Sequence, residues 1–156
     1  MNKLRNTHII FDLDGTLYNL YNIPNWLDML EKEIPTVFTV GKPLQNMEYL
    51  NKKIEVFQKL GVTFSVVSWL PLNTSDKFNK QCISKKMEWC KKFLPTIKEL
   101  HFIPYGTPKT LYTKKGKFNY LIDDNLEIVS KFNKKDNCKS LGLSFFLKNE
   151  KEMIEK

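Results

Sequence analysis

The segment His8-Ile-Ile-Phe-Asp12-Leu-Asp14-Gly15-Thr16-Leu17 runs from an apolar strand-like stretch into two aspartates and then an Asp-Gly turn. Successive strand residues face opposite sides of a sheet, but where the chain turns at a strand's end that alternation lapses. Both carboxylates can then line one pocket at the C-terminal edge, where open α/β sheets bind ligands. Asp-Gly alone reads as a surface turn. The apolar run before it, with Asp12 two residues ahead of Asp14, reads instead as a built site.

Downstream, residues 18–44 read as an insertion between this strand and the first long helix. Pro24-Asn-Trp26-Leu27-Asp-Met29-Leu30 suggests a short helix with proline near its start. Pro35 to Pro43 reads as extended chain or a hairpin. Met47, Leu50, Ile54, Phe57 and Leu60 have the spacing of an amphipathic helix, closed by Gly61. Val62–Ser68 is β-branched and strand-like. Asn73-Thr-Ser-Asp76 offers N-cap chemistry for a second long helix. The apolar stripe of that helix is Phe78, Cys82 or Ile83, Met87, Cys90 and Leu94, with Lys85, Lys86, Lys91 and Lys92 as its solvated face. A phosphate-binding patch is the alternative reading of these lysines.

Glu99–Tyr105 reads as a third strand, Asn119–Asn125 as a fourth that again ends in paired aspartates, and Leu141–Leu147 as a fifth, with a short helix over 126–132. Alternating strands and helices predict an α/β fold: a parallel sheet of about five strands with helices on both faces. One domain over residues 1–156 is expected, ending in a polar tail at 148–156.

The chain has 156 residues, is 42% hydrophobic and carries a formal charge of +8. It has no apolar run of about eighteen residues, so no membrane span is expected. The N-terminus shows no secretory pattern. Cys82, Cys90 and Cys138 are odd in number and widely spaced, which fits free thiols and a cytoplasmic setting. The positive field favours anionic partners. Arg5 is the only arginine and the lysines are scattered, which weighs against a dedicated nucleic-acid surface.

The C-terminal strand ends of a doubly wound sheet gather along one edge. Asp12, Asp14, Ser68, Lys109, Asp123 and Asp124 can then share one site. Massed carboxylates repel unless a cation compensates them. Oxygen-only ligands suit Mg²⁺, and no histidine or cysteine among these positions speaks for zinc. The link from Lys109 to Asp123 is too short for a full crossover helix and strand, so Lys114, Lys115 and Lys117 are alternative phosphate lysines.

Asp12-Leu-Asp14-Gly15-Thr16-Leu17 resembles the first motif of the haloacid dehalogenase (HAD) superfamily of phosphoryl-transfer enzymes. Ser68, Lys109 and Asp123-Asp124 follow in the order of its remaining motifs, so the resemblance spans residues 8 to about 125. It implies a HAD-like Rossmannoid sheet with a small cap in the insertion at 18–44. It also implies a Mg²⁺-dependent phosphatase that works through an aspartyl-phosphate.

In that scheme Asp12 is the nucleophile and Asp14 the general acid and base. Ser68, with Trp69 beside it, and Lys109 hold the phosphate oxygens. The metal is held by Asp12, the Asp14 carbonyl, Asp123 and Asp124. Gly15 and Thr16 help turn backbone N–H groups toward the anion. An aspartate at Asp14 resembles the phosphatases rather than the dehalogenases. The small early cap and Leu-Ile-Asp-Asp-Asn are similar to the 5′(3′)-deoxyribonucleotidase branch, with Tyr18 and Trp69 as base-stacking candidates. The expected substrate is a nucleoside monophosphate or another small phosphorylated metabolite. Two alternatives are a phosphatase acting on nucleic-acid ends and a catalytically silent phosphate-binding or regulatory module.

Overall fold

Five short strands, β1 (Thr7–Phe11), β2 (Thr63–Trp69), β3 (Glu99–Ile103), β4 (Phe118–Ile122) and β5 (Cys138–Ser140), form one all-parallel sheet in the order β3-β2-β1-β4-β5. The structure is a computed structural model and describes residues 3–148; the expected polar tail beyond Lys148 lies outside the described residues. Helices α1 (Trp26–Glu31), α2 (Met47–Lys59), α3 (Asp76–Phe93), α4 (Leu126–Phe132) and α5 (Leu143–Lys148) complete the architecture. No helix among the described residues is long and apolar enough to cross a membrane.

Every residue of β1 is buried because β1 is the central strand and both its faces are covered. Ile9 and Phe11 point into a core made with Leu50, Ile54 and Phe57 of α2 and Phe78, Cys82 and Cys90 of α3. Ile10 points the other way, into a smaller core with Val67, Ile103, Leu121 and Phe132. The sheet is therefore covered on both faces, as the alternating pattern predicts.

The long helices begin and end where their sequence chemistry directs. The Asn46 side chain accepts the Tyr49 N–H at the start of α2, and the Ser75 hydroxyl accepts the Phe78 N–H at the start of α3. At the end of α2, Gly61 N donates to Gln58 O and Val62 N to Phe57 O, a Schellman closure. It needs Gly61 at φ +98°, where other residues are strained.

Three expectations about elements and the faces they present are corrected. Leu141–Leu147 is not a strand: β5 is the three residues Cys138–Ser140, and Leu143–Lys148 is helical. Leu143, Phe146 and Leu147 have helical spacing as well as strand-like composition, which a short apolar run cannot resolve by itself. Tertiary packing decides it. Phe146 is fully buried against Phe57, Phe11 and Phe64, with ring centroids at 5.3, 5.7 and 6.1 Å. The segment from Pro35 is likewise not a hairpin but a 3₁₀ turn over Pro35–Phe38. Proline at its first position presets the turn, which buries Val37 and Phe38. The third correction, at Lys86, concerns the site itself.

The insertion is tied to α3 and braced within itself. Glu33 accepts both the Ser75 N–H (2.7 Å) and the Ser75 hydroxyl (3.0 Å), tying the insertion to the start of α3. The Tyr18 hydroxyl donates to Val37 O (2.6 Å) and accepts from Gly41 N (2.8 Å).

Candidate active site

Beyond the last residue of β1, Asp12 N still donates to Ile122 O at 3.0 Å, so Asp12 keeps the line of the sheet. The chain then coils tightly. Thr16, Leu17 and Tyr18 all donate their N–H groups to Leu13 O, and Gly15 N donates to Tyr18 O. The N–H groups of Gly15 and Thr16 are therefore spent inside the loop, where they hold its turn. Gly15 has φ +81°, and a Cβ there would collide with the Asp124 carboxylate and the Tyr21 ring. Glycine is thus what lets the loops after β1 and β4 approach each other.

The approach builds a compact charged cluster. Asp12, Asp123 and Asp124 present carboxylate oxygens within 4.8 Å of one another. The Lys109 ammonium donates to Asp12 Oδ1 (2.9 Å) and Asp123 Oδ2 (2.7 Å). The Thr16 hydroxyl lies 2.9 Å from Asp12 Oδ2 and 3.3 Å from Asp124 Oδ1, and accepts the Asp124 N–H at 3.2 Å. Asp123 Oδ1 accepts Asn125 N–H, while the Asn125 side chain caps α4. The three carboxylates are therefore placed just past the ends of β1 and β4, with the cap of α4 fixing the second of these loops.

The electrostatics follow from burial and crowding. Burial pushes the Asp12 carboxyl above its ordinary value despite the opposing charge of Lys109. Burial raises Asp123 and Asp124 as well, with Asp12 acting on Asp123 and Asp123 on Asp124. Burial alone would lower Lys109, but Asp12 and Asp123 outweigh it and hold its pKa above the usual lysine value.

Lys109 is 3% exposed and opens a 3₁₀ turn over Lys109–Tyr112, which replaces a full crossover helix in the short link from β3 to β4. The alternative lysines sit elsewhere. Lys114 pairs with Glu99 and Lys117 with Thr63, at the starts of β3 and β2, while Lys115 is exposed on a turn. Only Lys109 of the four reaches the carboxylates.

Asp14 has a separate partner. Lys86, expected on the solvated face of α3, is 2% exposed and donates to Asp14 Oδ2 (2.8 Å), Ser68 Oγ (2.9 Å) and Trp69 O (2.8 Å). This is the third correction. Lys86 lies four residues after Cys82 and four before Cys90, so the helical period already put it on the buried face. Its lysine identity masked that position.

The carboxylates floor a cavity of about 600 Å³. Its walls include Tyr21 and Trp26 from the insertion and Trp69 and Tyr105 from the ends of β2 and β3. The rings pair at 5.0 Å (Tyr21–Trp26) and 4.9 Å (Trp69–Tyr105). The Trp69 indole N–H donates to Thr107 O at 2.8 Å, which fixes its ring. Among the described residues, Lys109 is the only cation lining the cavity. Two expected contacts are absent from it. Ser68 is fully buried and meets the site through Lys86, and Tyr18 is 3% exposed with its hydroxyl already engaged. Tyr21, three residues on, takes the wall position expected of Tyr18. Tyr105 and Phe38 are wall residues that carried no motif in the sequence.

No protein-family model matches the chain, and comparisons with curated proteins and with solved structures find no match.

Proposed function

We propose that this chain is a Mg²⁺-dependent phosphomonoesterase of the HAD type, acting on a small monophosphate, with a nucleoside monophosphate as the favoured substrate. One observation carries the reading. Three carboxylates and one ammonium are gathered at the C-terminal edge of a parallel sheet, with a fourth carboxylate, Asp14, beside them on its own lysine. Three carboxylates against Lys109 leave two negative charges uncompensated at the floor of the cavity. An all-oxygen donor set with that excess fits a divalent hard cation.

Asp12, Asp123 and Asp124, with the Asp14 carbonyl, would hold Mg²⁺. Bound there, it would neutralise phosphate charge and orient the phosphoryl group. Asp12 attacks phosphorus, and the P–O bond to the alcohol breaks as an acyl phosphate forms on Asp12. Asp14 gives its proton to the leaving oxygen. It then takes a proton from the water that attacks the phosphorus of the acyl phosphate, releasing phosphate and restoring Asp12. Lys109 neutralises charge on Asp12 and on the phosphate oxygens. Ser68 enters this scheme as an anchor of Lys86 rather than as a phosphate contact.

The walls support the substrate class. Two aromatic pairs suit a flat ring, and a cavity of about 600 Å³ has room for a nucleoside. A polynucleotide would need cations along its path, and the cavity lining offers Lys109 alone among the described residues. This weighs against nucleic-acid ends despite the net charge of +8. Three free, buried cysteines agree with a cytoplasmic setting.

The test is phosphate release from deoxy- and ribonucleoside 5′- and 3′-monophosphates and sugar phosphates, with Mg²⁺ or EDTA, beside Asp12→Asn. Metal-dependent hydrolysis of nucleotides that the variant lacks is the expected result. Hydrolysis confined to phosphorylated oligonucleotides would move the substrate to nucleic-acid ends. Phosphate binding without turnover on any ester would leave the silent module.

A further inference from the structure

Lys86 has no role in the chemistry above, yet it is among the most deeply buried cations in the molecule. A lysine this buried is costly unless its charge is paired and its donors are satisfied. Here both conditions hold. Its three N–H donors are spent on Asp14 Oδ2 (2.8 Å), Ser68 Oγ (2.9 Å) and Trp69 O (2.8 Å), and the Phe38 ring lies 4.7 Å from the ammonium. No donor is left for a phosphate oxygen, and Lys86 does not line the cavity. That separates it from Lys109, which does.

Each partner comes from a different part of the fold. Asp14 belongs to the loop after β1, Ser68 and Trp69 to the end of β2, and Phe38 to the insertion. Lys86 itself projects from the third turn of α3. A single ammonium thus ties the nucleophile loop, the neighbouring strand and the insertion to the longest helix. Asp14 is held by Oδ2 while still lining the cavity, which leaves Oδ1 as the oxygen for proton transfer.

We infer that Lys86 is a positioning residue that orients the Asp14 carboxyl toward the departing alcohol, with Ser68 and the Trp69 carbonyl as its anchors. The inference rests on the phosphatase reading. The proton moves from Asp14 to the leaving oxygen as the P–O bond breaks and the bond to Asp12 forms; Lys86 gives up no proton. In the step that releases the alcohol, a misplaced Asp14 harms only esters whose alcohol needs that proton; the later attack of water is common to all esters and lies outside kcat/KM. The p-nitrophenolate released when the P–O bond of p-nitrophenyl phosphate breaks is a stable anion and does not need that proton.

The experiment compares kcat/KM, which covers the steps through departure of the alcohol, for p-nitrophenyl phosphate and for a nucleoside monophosphate. Wild type, Lys86→Met, Lys86→Arg and Asp14→Asn are measured with Mg²⁺. If wild type turns over neither ester, the phosphatase reading has failed, and that outcome is distinct from failure of the inference. Given turnover, Lys86→Met is expected to lower kcat/KM for the nucleotide about 10²-fold or more and for the aryl ester by less than about 10-fold. Lys86→Arg should recover part of the loss, and adding Lys86→Met to Asp14→Asn should cost little more. Equal losses on the two esters, or full additivity with Asp14→Asn, would overturn the inference. If Lys86→Met does not fold, Lys86→Gln, which keeps an N–H donor without the charge, carries the same comparison.

Discussion

Two buried lysine centres stand side by side at the sheet edge, and they solve opposite problems. Around Lys109, one ammonium faces three carboxylates and the cluster opens into the cavity. Around Lys86, one ammonium meets one carboxylate, every donor is used, and the cation is sealed from the cavity. Buried charge therefore has two meanings here. A centre left short of positive charge is prepared for a cation that arrives, whereas a balanced centre holds its own groups still. Burial and crowding raise Asp12, Asp123 and Asp124 in the first centre, the mark of that shortage.

Removing each lysine and asking what Mg²⁺ restores puts this contrast under the greatest stress. Lys109→Met should lower kcat/KM about 10²–10³-fold, as expected when a charge-stabilising donor is lost. In EDTA it should also destabilise the fold by about 3–5 kcal/mol, because two buried carboxylates lose their partner. Thermal melts should show Mg²⁺ recovering much of that stability in Lys109→Met and little in Lys86→Met. Equal recovery in both would erase the distinction between the centres.

A third buried group, His8, supplies a control far from either centre. Its ring nitrogens lie 2.7 Å from Thr63 Oγ1 and 2.9 Å from Ser65 Oγ, and burial lowers its pKa to about 4, against a smaller opposing pull from Glu99. The unfolded chain binds a proton near pH 6.5 that the folded chain refuses until about pH 4. His8 therefore supports the fold fully above pH 6.5, and that support is lost as the pH falls toward 4. At about 1.4 kcal/mol per pH unit the loss is on the order of 3 kcal/mol. Urea unfolding at pH 7 and pH 4.5 should show it in wild type and a flatter profile in His8→Gln. Mg²⁺ should leave that difference unchanged.

Mg²⁺ alone should stabilise wild type by about 2.7 kcal/mol at one hundred times its dissociation constant. Asp123→Asn should shrink that gain, as followed by melting against Mg²⁺ concentration. No change in wild type up to millimolar Mg²⁺ would count against a cation at the Lys109 centre.

The smallest effect is expected at the wall. Tyr105 is half-exposed and packs on Trp69. Tyr105→Ala should therefore leave stability within about 0.5 kcal/mol of wild type. It should raise KM for an aromatic nucleotide several-fold with kcat nearly unchanged, while KM for a sugar phosphate stays put.

Much of this was legible locally. β1 reads as a buried strand because a central parallel strand has no polar face, and the caps at Ser75 and Gly61 satisfy helix-end groups within a few residues. Lys109 was legible only as one of four lysines, because a short link leaves open which side chain reaches back. Tyr18 and Tyr21 have the same chemistry, and the bonds with Val37 and Gly41 decide that Tyr21 faces the cavity. Phe146 became helical because three rings surround it, not because its neighbours in sequence demanded it.

Strand period, turn residues and capping act over a few residues. The alternation of strands and helices, and the carboxylates at the ends of β1 and β4, are therefore properties of the sequence alone. The partners of the two lysines are not: long-range packing is what sets Lys109 against three carboxylates and Lys86 against Asp14. Lysines are alike along a chain. What distinguishes a solvated ammonium from a buried one is the set of oxygens that distant segments bring within hydrogen-bond reach of it.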